Sequence, residues 1–218
     1  MLLIEKDITN IKLLNRKRHY KSNSAQMFAF VEHMKLIAGG KKYKWAHSEF
    51  GNLLAKHESN NNYNICNRTK GGYTVINNLV LSDYTIKEIQ KKQKDRDVFA
   101  IGRYQLIPIT LNSAIKSLNL DTSLVFDETL QDRIFEEYLI DKKRPKIIAY
   151  LEGNGNVEDA MYSAAKEWAS VAVEKGKKIS KNRIAEEGFS YYQGDGLNKA
   201  HISSESIKKA LINSKLNN

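Results

Sequence analysis

The sequence has little cysteine, little proline and no long apolar run, and each shortage excludes a class of protein. Its one cysteine, Cys66, excludes an internal disulfide and a cysteine-rich zinc site. Its two prolines, Pro108 and Pro145, leave long stretches of the chain able to form helices. No stretch approaches the roughly 18 consecutive apolar residues of a membrane-spanning helix, so we expect no membrane span.

Positive charge is what the sequence has in excess. The 218 residues contain 35 Lys and Arg against 25 Asp and Glu, a net charge of +10. Residues 1–44 are strongly basic, residues 45–173 are close to neutral, and residues 174–218 are basic again. This distribution predicts a basic N-terminal helical extension over residues 1–44, which packs on or leads into one compact domain over residues 45–218. The charge either favours an anionic partner surface or only keeps the protein soluble.

The spacing of apolar residues predicts helices along most of the chain. Helical periodicity is found at Phe28–Ile37 and again at Phe50–His57, where Ser48 is a suitable N-cap. Asn60–Asn62 then break the helix. Alternating residues on either side of a turn at Thr69–Gly72 predict a β-hairpin.

Further helices are predicted after the hairpin. Thr85 and Glu88 have the spacing of a capping box, and Pro108 suits the first position of a helix. The other helical segments are Leu130–Leu139, Ala160–Ala172 and Ser203–Leu211, with residues 174–187 as a charged loop or linker. The predicted fold class is therefore α+β, mostly helical, with one small hairpin.

Glu58 stands where a predicted helix ends and the hairpin begins. The apolar face of that helix withdraws the carboxyl group from water, and desolvation raises the pKa of a carboxyl. A carboxyl that is protonated near neutral pH can act as a general acid, which is what the leaving oxygen of a glycosidic bond requires. The alternative is an exposed glutamate at a frayed helix end.

A second segment, Phe99–Thr110, has side chains suited to saccharide recognition. Gly102 permits close approach of a substrate chain, Tyr104 offers an aromatic face and a hydroxyl, and Gln105 offers a donor and an acceptor. The alternative is a loop that enters the next helix, with Tyr104 packed in the core.

In combination, these segments resemble the lysozyme-like superfamily, and in particular its phage-type muramidases and endolysins. Glu58-Ser59-Asn60-Asn61-Asn62-Tyr63 resembles the superfamily's Glu-Ser-x-x-Tyr element, and Gly102-Arg103-Tyr104-Gln105 with Pro108 and Thr110 resembles its Gly-x-x-Gln-x-x-Pro-x-Thr element. Later segments that also resemble phage muramidases are Asp127–Arg144, Ala165–Ser170 and Ser190–Tyr192. The resemblance covers about residues 45–212 and implies a lysozyme-like fold with a small β-hairpin after the catalytic helix.

The resemblance implies roles for the matching residues. Glu58 becomes the catalytic acid of a peptidoglycan-degrading muramidase, which hydrolyses the β-1,4 bond between N-acetylmuramic acid and N-acetylglucosamine. The implied substrate-binding residues are Tyr63, Gly102, Arg103, Tyr104 and Gln105. No cofactor or metal is implied, and the five histidines show no metal-ligand spacing.

The second carboxylate departs from the family pattern. Many phage lysozymes carry Asp nine residues after the catalytic Glu and Thr fifteen residues after it, and these positions are Asn67 and Tyr73 here. Asp83 is our first candidate for the second carboxylate and Asp97 the next, and either is alternatively a helix cap or a solvated charge. Without a second carboxylate, the substrate's own 6-hydroxyl can close an anhydro ring, so a lytic transglycosylase is the alternative enzyme.

The expected partner is the glycan strand of peptidoglycan, with an immunity or delivery protein as a further expectation and a monomer as the expected state. Glu5 and Asp7 stand where a secretory signal needs apolar residues, so we expect cytoplasmic synthesis and action on the cell wall after release, injection or phage-tail delivery. The alternative of another class is a non-catalytic basic module that binds cell wall or nucleic acid. No recognised nucleic-acid motif is present, so we expect no nucleic-acid partner.

Overall fold

A computed structural model describes residues 43–68, 74–76, 79–194 and 200–217. These residues form an α+β protein with seven α-helices and small antiparallel sheets, which confirms the predicted class. The helix predicted at Phe28–Ile37 and the turn at Thr69–Gly72 lie outside the described residues, as does nearly all of the predicted extension over residues 1–44. In the part of the chain that is described, no helix combines the length and the apolar character needed to cross a membrane.

The helices and strands follow one another in a simple order. The α-helices are α1 Glu49–Ser59, α2 Ile86–Lys94, α3 Pro108–Leu118, α4 Glu128–Arg133, α5 Pro145–Leu151, α6 Val157–Glu167 and α7 Ser204–Leu216. A π-helix, Ile134–Lys143, follows α4 directly, and 3-10 turns lie at Leu81–Asp83 and Ser180–Asn182. One sheet pairs β1 Cys66–Arg68 with β2 Thr74–Ile76, and the other pairs β3 Lys178–Ile179 with β4 Arg183–Ile184.

The described chain divides into two compact units. Unit 1 contains the described residues of 63–131, and unit 2 contains residues 43–62 together with the described residues of 132–217. In the described sequence, unit 1 lies between two segments of unit 2, and the single domain predicted over residues 45–218 stays a prediction.

Unit 2 packs its helices around an aromatic cluster. Phe50 of α1, Phe135 of the π-helix and Trp168 lie with ring centroids 5.9–6.3 Å apart, within the range of favourable aromatic pairs. Helix α1 packs against α7, and α5 packs against α6, α7 and the π-helix. Three aromatic side chains from distant parts of the sequence thus fix α1 in unit 2.

Local sequence signals set both ends of α1. Ser48 Oγ accepts a hydrogen bond from Gly51 N at 3.3 Å, which is the predicted N-cap. Asn60 and Asn61 adopt left-handed backbone conformations with φ of 54° and 61°, which asparagine tolerates better than most residues. The helix therefore ends at Ser59, directly after Glu58, as the sequence predicts.

Unit 1 contains the predicted hairpin and the predicted starts of two helices. Thr85 and Glu88 form the capping box of α2, and Pro108 occupies the first turn of α3. Large side chains that are fully buried in this unit include Leu81, Ile86, Ile89, Ile101, Leu111 and Phe126. Strand β1 reaches the loop before α3 through a bridge between Cys66 and Ile101.

Two predictions for unit 2 need correction. Helix α6 ends at Glu167 rather than continuing to Ala172, because Trp168 is in an extended conformation and the next residues pair elsewhere. Val171 forms a bridge with Ile202 and Ala172 with Ser190, so their backbone groups are committed to non-helical partners. The charged segment 174–187 is not only a loop, since it contains β3 and β4.

Gly51 gives a test of how tightly α1 is held. A Cβ atom at this position would lie 2.3 Å from the carbonyl oxygen of Trp45 and 2.6 Å from that of Ala46. Glycine to alanine normally stabilises a helix interior, but here the added methyl meets backbone that cannot rotate away. We expect Gly51→Ala to lower the free energy of unfolding by about 2 kcal/mol or more in urea titration.

The neighbouring exposed position supplies the control for this test. Asn52→Ala on the same helix removes the exposed hydrogen bond from Asn52 Nδ2 to the carbonyl oxygen of His47, so we expect it to cost no more than about 1 kcal/mol. A Gly51→Ala protein that is as stable as its parent would contradict the close packing of α1 against residues 45–46.

Candidate functional site

Glu58 lies in the last turn of α1, where the residue is half-buried and its carboxyl group is largely withdrawn from water. Burial raises the pKa of Glu58 above its ordinary value. Ser170 Oγ donates a hydrogen bond to Glu58 Oε1 at 2.5 Å, which stabilises the carboxylate and lowers the pKa, but by less than burial raises it. The desolvation predicted from the sequence is confirmed, and the carboxyl holds its proton to a higher pH than an ordinary glutamate.

The turn that carries Ser170 is anchored on both sides. Ser170 is buried, and its carbonyl oxygen accepts hydrogen bonds from His201 N at 2.7 Å and Ile202 N at 2.8 Å. Two residues earlier, the ring of Trp168 packs edge-on against Phe50 of α1. The sequence pointed to the segment that contains Ser170 but gave this residue no role, because its partner is 112 residues away.

Two histidines lie near this end of α1. His57 is exposed and precedes Glu58, and its pKa is lowered by partial burial and by the positive charges of His201 and Lys56. His201 is also exposed, and its backbone is tied to Ser170.

Three half-exposed tyrosines, Tyr162, Tyr191 and Tyr192, form an aromatic group in unit 2 that we call the tyrosine cluster. The rings of Tyr162 and Tyr191 are 6.1 Å apart and those of Tyr191 and Tyr192 are 5.2 Å apart. Lys166 Nζ lies 4.2 Å from the centre of the Tyr162 ring, a cation–π geometry. Tyr192 also donates to the carbonyl oxygen of Lys166 at 2.7 Å. The cluster thus borders the segment that leads to Ser170.

In unit 1, the predicted glycan-binding segment Phe99–Thr110 contains Gly102, a glycine that no other residue can easily replace. Gly102 has φ of +73°, and a Cβ atom there would lie 2.1 Å from Gln131 Oε1. Gln131 clamps the loop, since its Oε1 accepts from Arg103 N at 2.9 Å and its Nε2 donates to the carbonyl oxygen of Tyr63 at 3.2 Å. Gln131 lies in the segment Asp127–Arg144 that resembles phage muramidases, but the sequence did not predict this contact.

Arg103 and Tyr104 are buried rather than displayed. Each is 3% exposed, and Arg103 Nη1 donates to the hydroxyl oxygens of Tyr104 at 2.9 Å and Tyr63 at 3.0 Å. Both rings also lie within about 5 Å of the guanidinium, which is a cation–π arrangement. Tyr104 thus adopts its core-packed alternative. Tyr63 and Gln105 are only half-buried, and the glycan-binding role of this set stays a prediction.

Asn67 has a structural use at the position where many phage lysozymes carry Asp. Its Oδ1 accepts from Ala100 N at 2.9 Å, and its Nδ2 donates to Gln105 Oε1 at 3.2 Å. Gln105 has φ of 50°, and its Nε2 donates in turn to the carbonyl oxygen of Gly102 at 2.9 Å. The Asn67 amide therefore holds a strained turn with one acceptor and one donor, which a carboxylate cannot do.

The candidates for a second carboxylate are both exposed residues of unit 1. Asp83 ends the 3-10 turn at Leu81–Asp83, and Asp97 follows α2. Neither side chain is buried, so neither carboxyl is desolvated as the carboxyl of Glu58 is. The role predicted for Asp83 stays a prediction.

Other reactive groups offer less. Within the described ranges, no group of three His, Cys, Asp or Glu side chains is arranged to hold a metal ion. Burial raises the pKa of the Cys66 thiol to about 12, so it is a poor nucleophile near neutral pH.

Comparison with protein-family models, curated proteins and solved structures found no match to this chain.

The Asn67 amide leads to a prediction about unit 1. Asn67→Asp removes the donor to Gln105 and places a carboxyl group in a half-buried position, where burial raises its pKa. We expect the variant to lose about 1–3 kcal/mol of unfolding free energy at pH 7. Part of this loss should be recovered at about pH 4, because the protonated carboxyl can again donate. Urea titration at both pH values measures the difference.

Asn64 is the matched control in the same segment. Its Oδ1 accepts from Leu81 N at 2.8 Å, and a carboxylate oxygen can accept that bond equally well. Asn64→Asp should therefore be much milder at pH 7. Equal effects of the two substitutions would show that the donor to Gln105 contributes little.

Proposed function

We propose that this protein is a peptidoglycan muramidase in which Glu58 is the general acid. The observation that carries the proposal is the desolvated Glu58 carboxyl, whose pKa is raised and whose Oε1 is held by Ser170. Protonation of the leaving oxygen is the step that glycosidic cleavage demands of an enzyme, and it needs such a group. The helix that ends at this acid and the hairpin that follows it also support a lysozyme-like fold, in line with the resembling motifs.

The chemistry follows from the state of the carboxyl. Glu58 donates its proton to the oxygen between the two sugars as the glycosidic bond breaks, and the group is left as a carboxylate. The Ser170 hydroxyl stabilises that carboxylate through the bond to Oε1. In hydrolysis, water then adds to the sugar with the help of a second carboxylate, for which Asp83 remains our candidate.

The tyrosine cluster supports a saccharide substrate in unit 2. Sugars present C–H faces that stack on aromatic rings, and the rings of Tyr162 and Tyr191 are half-exposed. Hydroxyl groups of a glycan add directional hydrogen bonds. Tyr63, Gly102, Arg103, Tyr104 and Gln105 are retained as the substrate-binding set that the resemblance implies.

A lytic transglycosylase is the second candidate, and Asn67 favours it. The position where many phage lysozymes carry Asp holds an amide here, and this amide is engaged with Ala100 and Gln105. Such an enzyme cleaves the same bond with one carboxyl, since the substrate's 6-hydroxyl replaces water. The products separate the two candidates, because hydrolysis leaves reducing ends and transglycosylation leaves anhydro ends.

We propose the bacterial cell wall as the place of action, reached by release, injection or phage-tail delivery. Peptidoglycan is the partner that the chemistry requires. The immunity or delivery protein and the monomeric state are carried forward as proposals of the same kind.

The acid role is tested by replacing Glu58 with glutamine. Glu58→Gln keeps the shape and an acceptor for Ser170 but cannot donate an acidic proton. We expect muropeptide release from purified peptidoglycan to fall by about 10²–10⁴-fold. In the parent protein, activity should decline as the pH rises through the raised pKa of Glu58, because the acid must be protonated.

Stability and a second variant control the experiment. Glu58→Gln removes the cost of a buried charge, so the variant should be at least as stable as its parent at pH 7. Glu49→Gln, in the first turn of α1, should keep full activity. Full activity of folded Glu58→Gln would sink the proposal, and saccharide binding by the parent without any released product would favour the non-catalytic module.

A further inference from the structure

We propose that Ser170 is the positioning residue for Glu58: its hydroxyl holds the carboxyl in one orientation and reserves one oxygen for the substrate. The inference rests on the proposed function and deepens it. Ser170 does not touch the reacting atoms in this scheme and acts only through Glu58.

Backbone hydrogen bonds hold Ser170 in place. Its carbonyl oxygen receives two backbone N–H groups, from His201 and Ile202, and Ala172 N donates to the carbonyl oxygen of Ile202 at 2.8 Å. Val171 forms a parallel bridge with Ile202. The backbone around Ser170 is thus fastened to the segment that leads into α7.

Helix α1 is held against the segment of Ser170 and against α7. Phe50 packs against Trp168, two residues before Ser170, and Phe50 N donates to Ser214 Oγ of α7 at 2.8 Å. Glu58 lies two turns further along the same helix. Both ends of the bond between Ser170 and Glu58 are therefore set by the core of unit 2.

The hydrogen bond from Ser170 distinguishes the two carboxyl oxygens of Glu58. Ser170 Oγ donates to Oε1, so Oε1 is the acceptor oxygen of the carboxyl. A protonated carboxyl with its acceptor oxygen engaged carries the proton on the other oxygen, which is Oε2. The Ser170 hydroxyl thus selects the oxygen that donates to the glycosidic bond, and it also stabilises the carboxylate that remains.

The charged neighbours of this carboxyl are few in the described chain. On α1 the nearest charged groups in the sequence are Lys56 and His57, and the segment bound to Ser170 carries His201. Partial burial, His201 and Lys56 together lower the pKa of His57. The pKa of Glu58 is set by burial and by the Ser170 hydrogen bond. Removing the hydroxyl should therefore raise the pKa of Glu58 further, because only the effect of burial remains.

The test is Ser170→Ala, measured by kinetics and by titration across pH. We expect kcat on peptidoglycan to fall on the order of tenfold with KM little changed, since a positioning contact is lost. The alkaline limb of the pH profile should move up by about one pH unit, because a hydrogen bond to a charged group contributes a pKa difference of this size. Ser170→Thr, which keeps a hydroxyl, should restore both.

Ser214→Ala is the matched control for a structural effect. It removes another buried hydroxyl, which contacts the other end of the same helix, so it should cost stability without moving the pH profile. If Ser170→Ala does not fold, Ser170→Cys keeps the volume and donates only weakly, and it should show the same shifts in the same direction. Unchanged profiles in folded Ser170→Ala or Ser170→Cys would overturn the proposal.

A titration of the Glu58 carboxyl by carbon NMR separates this inference from the proposed function. If the parent protein releases no muropeptides, the proposed function fails, but the carboxyl still titrates. An upward shift of its midpoint in Ser170→Ala then supports the contact and its effect on charge. The same midpoint in parent and variant refutes it whether or not the protein is an enzyme.

Discussion

The aromatic core of unit 2 is the constraint on which its candidate site depends, because it holds α1 and the segment of Ser170 around the buried Glu58 carboxyl. Burying an unpaired carboxylate costs several kcal/mol, whereas one hydrogen bond to a charged group contributes only about 1.5–3 kcal/mol. The Ser170 hydroxyl therefore reduces the cost of ionisation without removing it, and the pKa of Glu58 stays raised. Its place in the last turn of α1, near the negative end of the helix dipole, acts in the same direction.

In unit 1, neutral amide side chains rather than a carboxyl group hold the loop before α3. This loop contains Gly102 and Gln105 in left-handed conformations, and the amides of Asn67 and Gln131 tie it with paired donors and acceptors. A neutral amide can do both, so these contacts themselves bury no charge. The buried cation of this loop, Arg103, faces two tyrosine hydroxyls and two aromatic rings. The contrast with Glu58 is chemical, since the loop of unit 1 is tied by neutral amides and the buried acid of unit 2 is a titratable group.

Features that depend on neighbouring residues could be predicted from the sequence, and features that depend on distant contacts could not. The limits of α1 follow from Ser48 and Asn60, and the start of α2 follows from its capping box, because each signal lies within one turn of the helix end it determines. The early end of α6 was missed, because the partners of Val171 and Ala172 are Ile202 and Ser190. For the same reason, the motif identified the chemistry of Glu58 but not Ser170.

The number of carboxylates is a weaker guide to mechanism than the balance of forces on one of them. After it gives up its proton, Glu58 must accept one to complete a cycle, whether from water or from a 6-hydroxyl. A carboxyl that burial alone controlled would resist the ionised state, and one bonded as strongly as an ion pair would resist the protonated state. In the proposed mechanism, burial raises the pKa of Glu58, the Ser170 hydroxyl opposes that rise, and Glu58 acts first as acid and then as base. The bond from Ser170 then bears on both halves of that proposed reaction.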